Sequence, residues 1–240
     1  MKWSKDERNS VLKARQKVGA GMRGIVFDLD GVLTDTAEYH YQAWKALGEK
    51  IGIPFDRAFN ENLKGISRMD SLERILELGH KENDYTQAEK EILASDKNEH
   101  YKELILEITP KDLLPGIKAF IEAAKARGLR LALASASKNG PVILERLGMT
   151  DYFEAVVDPS TLEHGKPDPE IFTKGAELLG LPAEECVGIE DAQAGIAAIN
   201  AAGMFSVGVG SAESMKEADL FVESTADLDL DEIMRAAAAK

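Results

Sequence analysis

A chain of 240 residues suits one large domain, or one domain carrying a smaller insertion, since domains commonly run to about 100–200 residues. With 44% hydrophobic and 30% charged residues it has the material for a buried core, and its composition excludes a collagen, a disulfide-stapled mini-protein and a disordered chain. The formal charge of −13 argues against a nucleic-acid backbone as the main partner, which needs a basic face, but leaves room for a small anion held by local cations or a metal ion.

Residues 1–22 hold six Lys or Arg against Asp6 and Glu7 and read as a basic leader, more simply a helical extension than a nucleic-acid or membrane tail, with Met22 as an alternative start. This start lacks the apolar core of a signal peptide, and no later stretch approaches the roughly 18 apolar residues of a membrane span. The expected compartment is therefore the cytoplasm, with no membrane partner.

Gly24-Ile25-Val26-Phe27 is a short apolar run that stops in Asp28-Leu29-Asp30-Gly31, the pattern of a buried strand ending in a turn. Asp28 and Asp30 stand two apart at its end, so both carboxylates can face one side, and Gly31 permits the tight turn. Taken alone, such a pair serves as turn formers as readily as catalytic acids.

Between 37 and 107 the spacing becomes helical: Ala43, Trp44, Leu47 and Ile51, then Leu72, Ile75 and Leu76, then Ile92 and Leu93. This stretch predicts a helical cap domain inserted into a core made of 23–36 and 108–240. Leaving after the first strand, it is expected over that strand's C-terminal edge, where open α/β sheets bind ligands.

Strand-like runs then recur at 129–134, 152–157, 186–189 and 205–209, separated by helical patterns at 116–127, 140–147, 169–179 and 192–202. Repeated βα units predict an α/β fold with a doubly wound parallel sheet and helices on both faces. The one cysteine, Cys186, falls in the third of these runs, can form no internal disulfide, and suits a reducing compartment.

Three of the later elements end or begin in residues with chemistry. The run to Ala134 is followed by Ser135-Ala136-Ser137-Lys138-Asn139, whose hydroxyls and amides can hold phosphate oxygens ahead of a helix. Lys166 precedes Pro167-Asp168-Pro169, where Asp168 reads as an N-cap and Pro169 as a first-turn residue. The run to Ile189 ends in Glu190-Asp191. Each has a plainer reading as a loop hydroxyl, a solvated lysine or a helix cap. Together they place carboxylates, hydroxyls and one lysine at the C-terminal ends of neighbouring parallel strands, the inventory for a hard cation and a phosphoryl group.

The order Asp28-Leu29-Asp30-Gly31-Val32-Leu33-Thr34-Asp35-Thr36, then Ser135, Lys166 and Glu190-Asp191, resembles the haloacid dehalogenase superfamily of phosphotransferases over residues 23 to about 230. Thr36-Ala37-Glu38-Tyr39-His40 with Trp44, the run Leu63-Lys64-Gly65-Ile66-Ser67-Arg68, and Ala134 to Gly140 resemble its β-phosphoglucomutase branch. Ala192 departs from the pattern, standing after Asp191 where members can carry serine.

The resemblance implies that Asp28 attacks phosphorus and becomes an aspartyl phosphate, while Asp30 acts as general acid and base. It implies one Mg2+ held by Asp28, the backbone carbonyl of Asp30, Glu190 and Asp191, some through water. Ser135, the amide of Ala136 and Lys166 would hold the transferring phosphoryl oxygens. Arg68, helped by Ser137 and Asn139, would grip the second phosphate of a sugar bisphosphate, with Lys64, Gly65, Ile66 and Lys138 in the same substrate-binding runs. Trp44, Leu63, Ser67 and Ser71 would line the sugar pocket, and Thr36, His40 and Lys97 would form a network positioning Asp30.

The implied reaction interconverts β-D-glucose 1-phosphate and glucose 6-phosphate through β-glucose 1,6-bisphosphate, in an enzyme expected to be a monomer acting on small sugar phosphates. A magnesium-dependent sugar-phosphate phosphatase stays open as the alternative. A non-catalytic sugar-phosphate sensor is disfavoured by the presence of both Asp28 and Asp30.

Overall fold

The computed structural model describes residues 21–63 and 66–240, so Lys64, Gly65 and all of the leader but Gly21 and Met22 lie outside it. Six strands, β1 (Gly24–Phe27), β2 (Arg130–Leu133), β3 (Ala155–Val156), β4 (Cys186–Glu190), β5 (Phe205–Val209) and β6 (Leu220–Val222), form one sheet. Their order is β3-β2-β1-β4-β5-β6, and every neighbouring pair is parallel. The fold is therefore the α/β parallel sheet the sequence predicts.

The central strands are continuously apolar because helices cover both faces. Nine α-helices are described: α1 (Ala37–Lys50), α2 (Arg57–Asn60), α3 (Arg68–Leu78), α4 (Gln87–Ile105), α5 (Ile117–Ala126), α6 (Gly140–Arg146), α7 (Glu170–Leu178), α8 (Gln193–Ala201) and α9 (Leu230–Ala239). Val26 of β1 faces α7 so closely that a Cβ on Gly175 would stand 2.7 Å from its Cγ1. Gly188, level with Val26 in β4, gives the same close approach to Ile199 of α8. Phe27, the next residue of β1, points to the opposite face and meets the ring of Phe120 in α5 edge-on at 6.2 Å.

Two compact units divide the chain. One contains the sheet; the other comprises Thr34–Leu113 and Asn139–Thr150. In the second, Trp44, Leu47, Ile53, Leu63, Leu72, Ile75, Leu76 and Ala94 pack into a core of their own. Ser67 caps α3 by accepting from the Asp70 N–H, and Thr86 with Glu89 forms a capping box at α4. Among the described residues no strand falls between the start of α1 and the end of α4.

The ends of this excursion are tied on each side of the boundary. Thr34 forms an antiparallel bridge with Leu113 and donates its hydroxyl to the Asp112 carbonyl at 2.7 Å. One residue outward, the Leu114 N–H donates to the Leu33 carbonyl at 2.9 Å.

Three local expectations change. β6 was not expected, because Leu220-Phe221-Val222 is only three residues long and lies at the sheet edge, where burial leaves no longer apolar signal. Ile92 is 59% exposed; the inward face of α4 runs through Ala94, Lys97, Tyr101 and Ile105. Helix α7 begins at Glu170 with Pro169 as its cap residue, and Asp168 accepts from the Glu170 N–H at 3.0 Å. Cys186 is buried, which pushes its thiol up to about 12. Among the described residues no helix is long and apolar enough to cross a membrane.

Candidate active site

The parallel register places the chemistry. Phe27 pairs with Ile189, so Asp28 and Glu190 emerge side by side, with the Asp28 N–H donating to the Ile189 carbonyl at 2.9 Å. Both side chains are buried, and one carboxylate oxygen each from Asp28, Glu190 and Asp191 lies within 4.8 Å of the others. Lys166 reaches in from the loop before α7, its Nζ 2.5 Å from Asp28 Oδ1 and 2.7 Å from Glu190 Oε2. The other oxygen of Glu190 accepts the N–H groups of Asp191 at 3.2 Å and Ala192 at 3.1 Å.

Three carboxylates around one ammonium are under-compensated. Burial, then the charge of Glu190, pushes Asp28 up to about 6 against the pull of Lys166. Desolvation and then the charge of Asp28, with a smaller push from Asp30, raises Asp191 to about 6, although its side chain still reaches solvent. Burial raises Glu190 as well. Burial pulls Lys166 down, but Asp28 and Glu190 together outweigh it and hold the ammonium firmly protonated.

The donor set fits a hard divalent cation such as Mg2+: all oxygen, with net negative charge left over. The surroundings are shaped for these carboxylates. A Cβ on Gly31, at φ 71°, would stand 2.0 Å from Asp191 Oδ2, and one on Gly195 would stand 2.0 Å from Glu190 Oε2. Only glycine leaves both carboxylates where they are.

Beyond β2, the Ala134 N–H donates to the Phe27 carbonyl at 2.7 Å, which sets Ser135 next to the end of β1. Ser135 is buried and its hydroxyl accepts from the Ser137 N–H at 3.1 Å, curling the loop. Ala136 and Lys138 are exposed, Ser137 is half-buried, and Asn139 is buried in the other compact unit as the residue before α6. The structure thus gathers Asp28, Ser135, Lys166, Glu190 and Asp191, with half-buried Asp30 close enough to act on Asp191.

A second cluster lies in the helical unit. Lys97 Nζ is 2.9 Å from His40 Nδ1 and sits over the rings of Trp44 and Tyr101 at 4.7 and 4.8 Å. His40 stacks on Tyr101 with centroids 4.1 Å apart. Lys97 is 4% exposed; burial and then the charge of Arg68 lower it to about 7, and burial with the charges of Lys97 and Arg68 lowers His40 to about 3. Arg68 is the first residue of α3, where a cation opposes the helix dipole. An arriving anion would relieve that opposition and the crowding of Arg68 with Lys97.

The remaining cap expectations divide. Thr36 is buried as the residue preceding α1, and Ile66 is half-buried. Leu63 is part of the helical core, and Trp44 belongs both to that core and to the Lys97 cluster. Ser67 is the α3 cap, and the Ser71 hydroxyl donates to the Ser67 carbonyl at 3.0 Å, so both have structural bonds in this structure.

Sequence reasoning missed Tyr101 and Gly195. Tyr101 was legible from its place four residues after Lys97, on the same helical face. For Gly195 no comparable sequence signal exists, since its role comes from the approach of α8 to Glu190.

A family model described as haloacid dehalogenase-like hydrolase matches residues 22–203. The chain is 54% identical over 210 residues to a β-phosphoglucomutase of Bacillus subtilis, spanning 88% of this chain and 93% of that protein. It superposes on the crystal structure of a β-phosphoglucomutase from Clostridium difficile with a TM-score of 0.85 and 48% identity, covering 91% of this chain and 98% of that one. It is also 27% identical over 207 residues to a phosphorylated carbohydrates phosphatase of Thermotoga maritima, covering 85% of this chain and 92% of that protein.

Proposed function

The chain belongs to the haloacid dehalogenase-like hydrolase family, and from that premise we propose that it is a β-phosphoglucomutase interconverting β-D-glucose 1-phosphate and glucose 6-phosphate. The observation that carries this is the 54% identity to a mutase over nearly its whole length, against 27% to a phosphatase at similar coverage.

Asp28 is the nucleophile: its Oδ attacks phosphorus, the sugar oxygen leaves, and an aspartyl phosphate forms. Asp30 gives a proton to the leaving sugar oxygen and takes one from the sugar hydroxyl that attacks on return. Lys166, the Ser135 hydroxyl and the Ala136 amide hold the oxygens of the transferring group, the lysine as a point charge. Asp28, the carbonyl of Asp30, Glu190 and Asp191 would hold Mg2+, which when bound would offset the negative charge that the carboxylates and the phosphate share.

Arg68 takes the second, non-reacting phosphate through its planar fork, with Ser137 and Asn139 assisting. The sugar passes through β-glucose 1,6-bisphosphate, which turns over while either end is presented to Asp28. We read the protein as a cytoplasmic monomer acting on small sugar phosphates, with neither membrane nor nucleic acid as a partner.

The test is a coupled assay that follows glucose 6-phosphate and free phosphate together in enzyme primed with the bisphosphate. Wild type should form mainly glucose 6-phosphate. Arg68→Ala should cut that rate by about tenfold to a hundredfold, the worth of one charge-assisted bidentate contact, while sparing phosphate release. If wild type releases mainly phosphate, or Arg68→Ala leaves the ratio unchanged, the sugar-phosphate phosphatase becomes the better reading.

A further inference from the structure

Lys166 is buried at its tip yet carried on an exposed loop, with Glu163, His164, Gly165 and Pro167 all open to solvent. Something must fix that backbone if the ammonium is to meet Asp28 and Glu190 together. Glu170, the first residue of α7, turns its carboxylate back to the loop. The Glu163 N–H lies 3.0 Å from its Oε1 and 2.9 Å from its Oε2, and the His164 N–H donates to Oε2 at 2.8 Å.

These bonds close residues 163–170 into a ring. The Asp168 N–H donates to the Gly165 carbonyl at 3.0 Å, and the Glu170 N–H donates to Asp168 Oδ1 at 3.0 Å, bracing the same ring from inside. Lys166 lies within it, two residues after the anchored His164 and four before the anchor itself. Gly165, between anchor and lysine, has no atom within 4 Å of where its Cβ would stand. At Gly165 the hold on the backbone therefore comes from hydrogen bonds and not from side-chain packing. Negative charge at Glu170 is also favourable at the start of a helix, so the ring is closed by a group already suited to its place.

We infer that Glu170 is a positioning residue for phosphoryl transfer: it acts through Lys166, by clamping the loop that aims the ammonium at Asp28 and Glu190. This rests on the reading of Lys166 as a holder of the transferring phosphoryl group. Glu170 itself touches neither Asp28 nor Glu190 by any hydrogen bond or ion pair described, so its effect should fall on the transfer step and leave sugar-phosphate affinity nearly as it was.

The experiment is a double-mutant cycle on the full chain, reading the rate of Asp28 phosphorylation by labelled β-glucose 1,6-bisphosphate in rapid-quench mixing, with KM measured in parallel. Glu170→Ala should slow phosphoenzyme formation about tenfold with KM changed less than about twofold. On a Lys166→Ala background the same substitution should cost less than about twofold. Glu170→Gln keeps the length and one acceptor oxygen, so it should recover part of the loss. An unchanged rate in Glu170→Ala, an equal loss on both backgrounds, or a glutamine no better than alanine would overturn the inference. A Lys166→Ala enzyme as fast as wild type would instead refute the role given to Lys166, a failure visible before Glu170 is touched.

Discussion

Replacing Lys97 with methionine should stabilise the helical unit at neutral pH while damaging activity. Lys97 is almost fully buried, forms no ion pair with a carboxylate among the described residues, and falls from the ordinary 10.5 to about 7. At about 1.36 kcal/mol per tenfold change in proton affinity, holding this proton at pH 7 costs the fold on the order of 4 kcal/mol. Methionine fills similar volume, but it leaves His40 Nδ1 without its bond to Lys97, which takes back about 1–2 kcal/mol. The net gain at pH 7 is therefore roughly 2–3 kcal/mol.

The sign has a pH signature. The unfolded chain keeps the lysine proton up to about 10.5 and the folded chain releases it near 7, so wild type recovers this stability as pH rises through that window. The advantage of Lys97→Met should thus be full at pH 7, vanish between about pH 9 and 10 where the charge cost has fallen to the worth of the lost His40 bond, and turn into a loss of about 1 kcal/mol near pH 10.5. Urea unfolding followed by Trp44 fluorescence, with Trp3 replaced by phenylalanine in both proteins, measures the difference at each pH. A variant less stable than wild type at pH 7, or a difference that stays flat to pH 10, would refute the buried-charge argument.

Asp28→Asn should form no phosphoenzyme, whereas Asp30→Asn should still bind Mg2+ and bisphosphate and lose about a hundredfold to ten-thousandfold in turnover; a phosphoenzyme appearing at normal rate in Asp28→Asn would point to another nucleophile. Gly195→Ala should drive the Glu190 carboxylate off its place, since the new Cβ would stand 2.0 Å from Oε2. Calorimetric titration should then show Mg2+ affinity down at least about tenfold, with about 1–3 kcal/mol of stability lost to overpacking; unchanged affinity would mean that Glu190 has slack the structure does not suggest.

Where burial is two-sided and continuous, the sequence announced the structure: β1, β4 and β5 appear where residues 24–27, 186–189 and 205–209 run largely apolar. The carboxylates were legible for the same reason, since a polar residue ending an apolar run marks a strand end, and parallel pairing brings such ends together. Legibility fades where a contact depends on another element. Ile92 scores as apolar in any pattern, but α4 turns its Ala94, Lys97 and Tyr101 face inward because aromatic rings there can accept a lysine. Ser67 reads from the sequence as a residue lining the sugar pocket; that its hydroxyl also caps α3 shows only once the helix is seen to start immediately after it. Glu170 reads as an ordinary acidic residue in a first helical turn, because the loop amides it holds are six and seven residues upstream.

The paired exits of the helical excursion bear on how such a chain can change over generations. At the sheet side, Leu33 and Leu114 stay within one hydrogen bond of each other, however many residues intervene. Lengthening or rewriting the intervening chain therefore imposes no new distance on the sheet, and the entropy of closing a longer loop grows only with the logarithm of its length. Drift in the length of the excursion leaves the closing bond at the sheet side as it is. A lineage can thus lengthen or shorten the excursion at little cost in closure, while the strand ends that carry Asp28 and Glu190 stay in register.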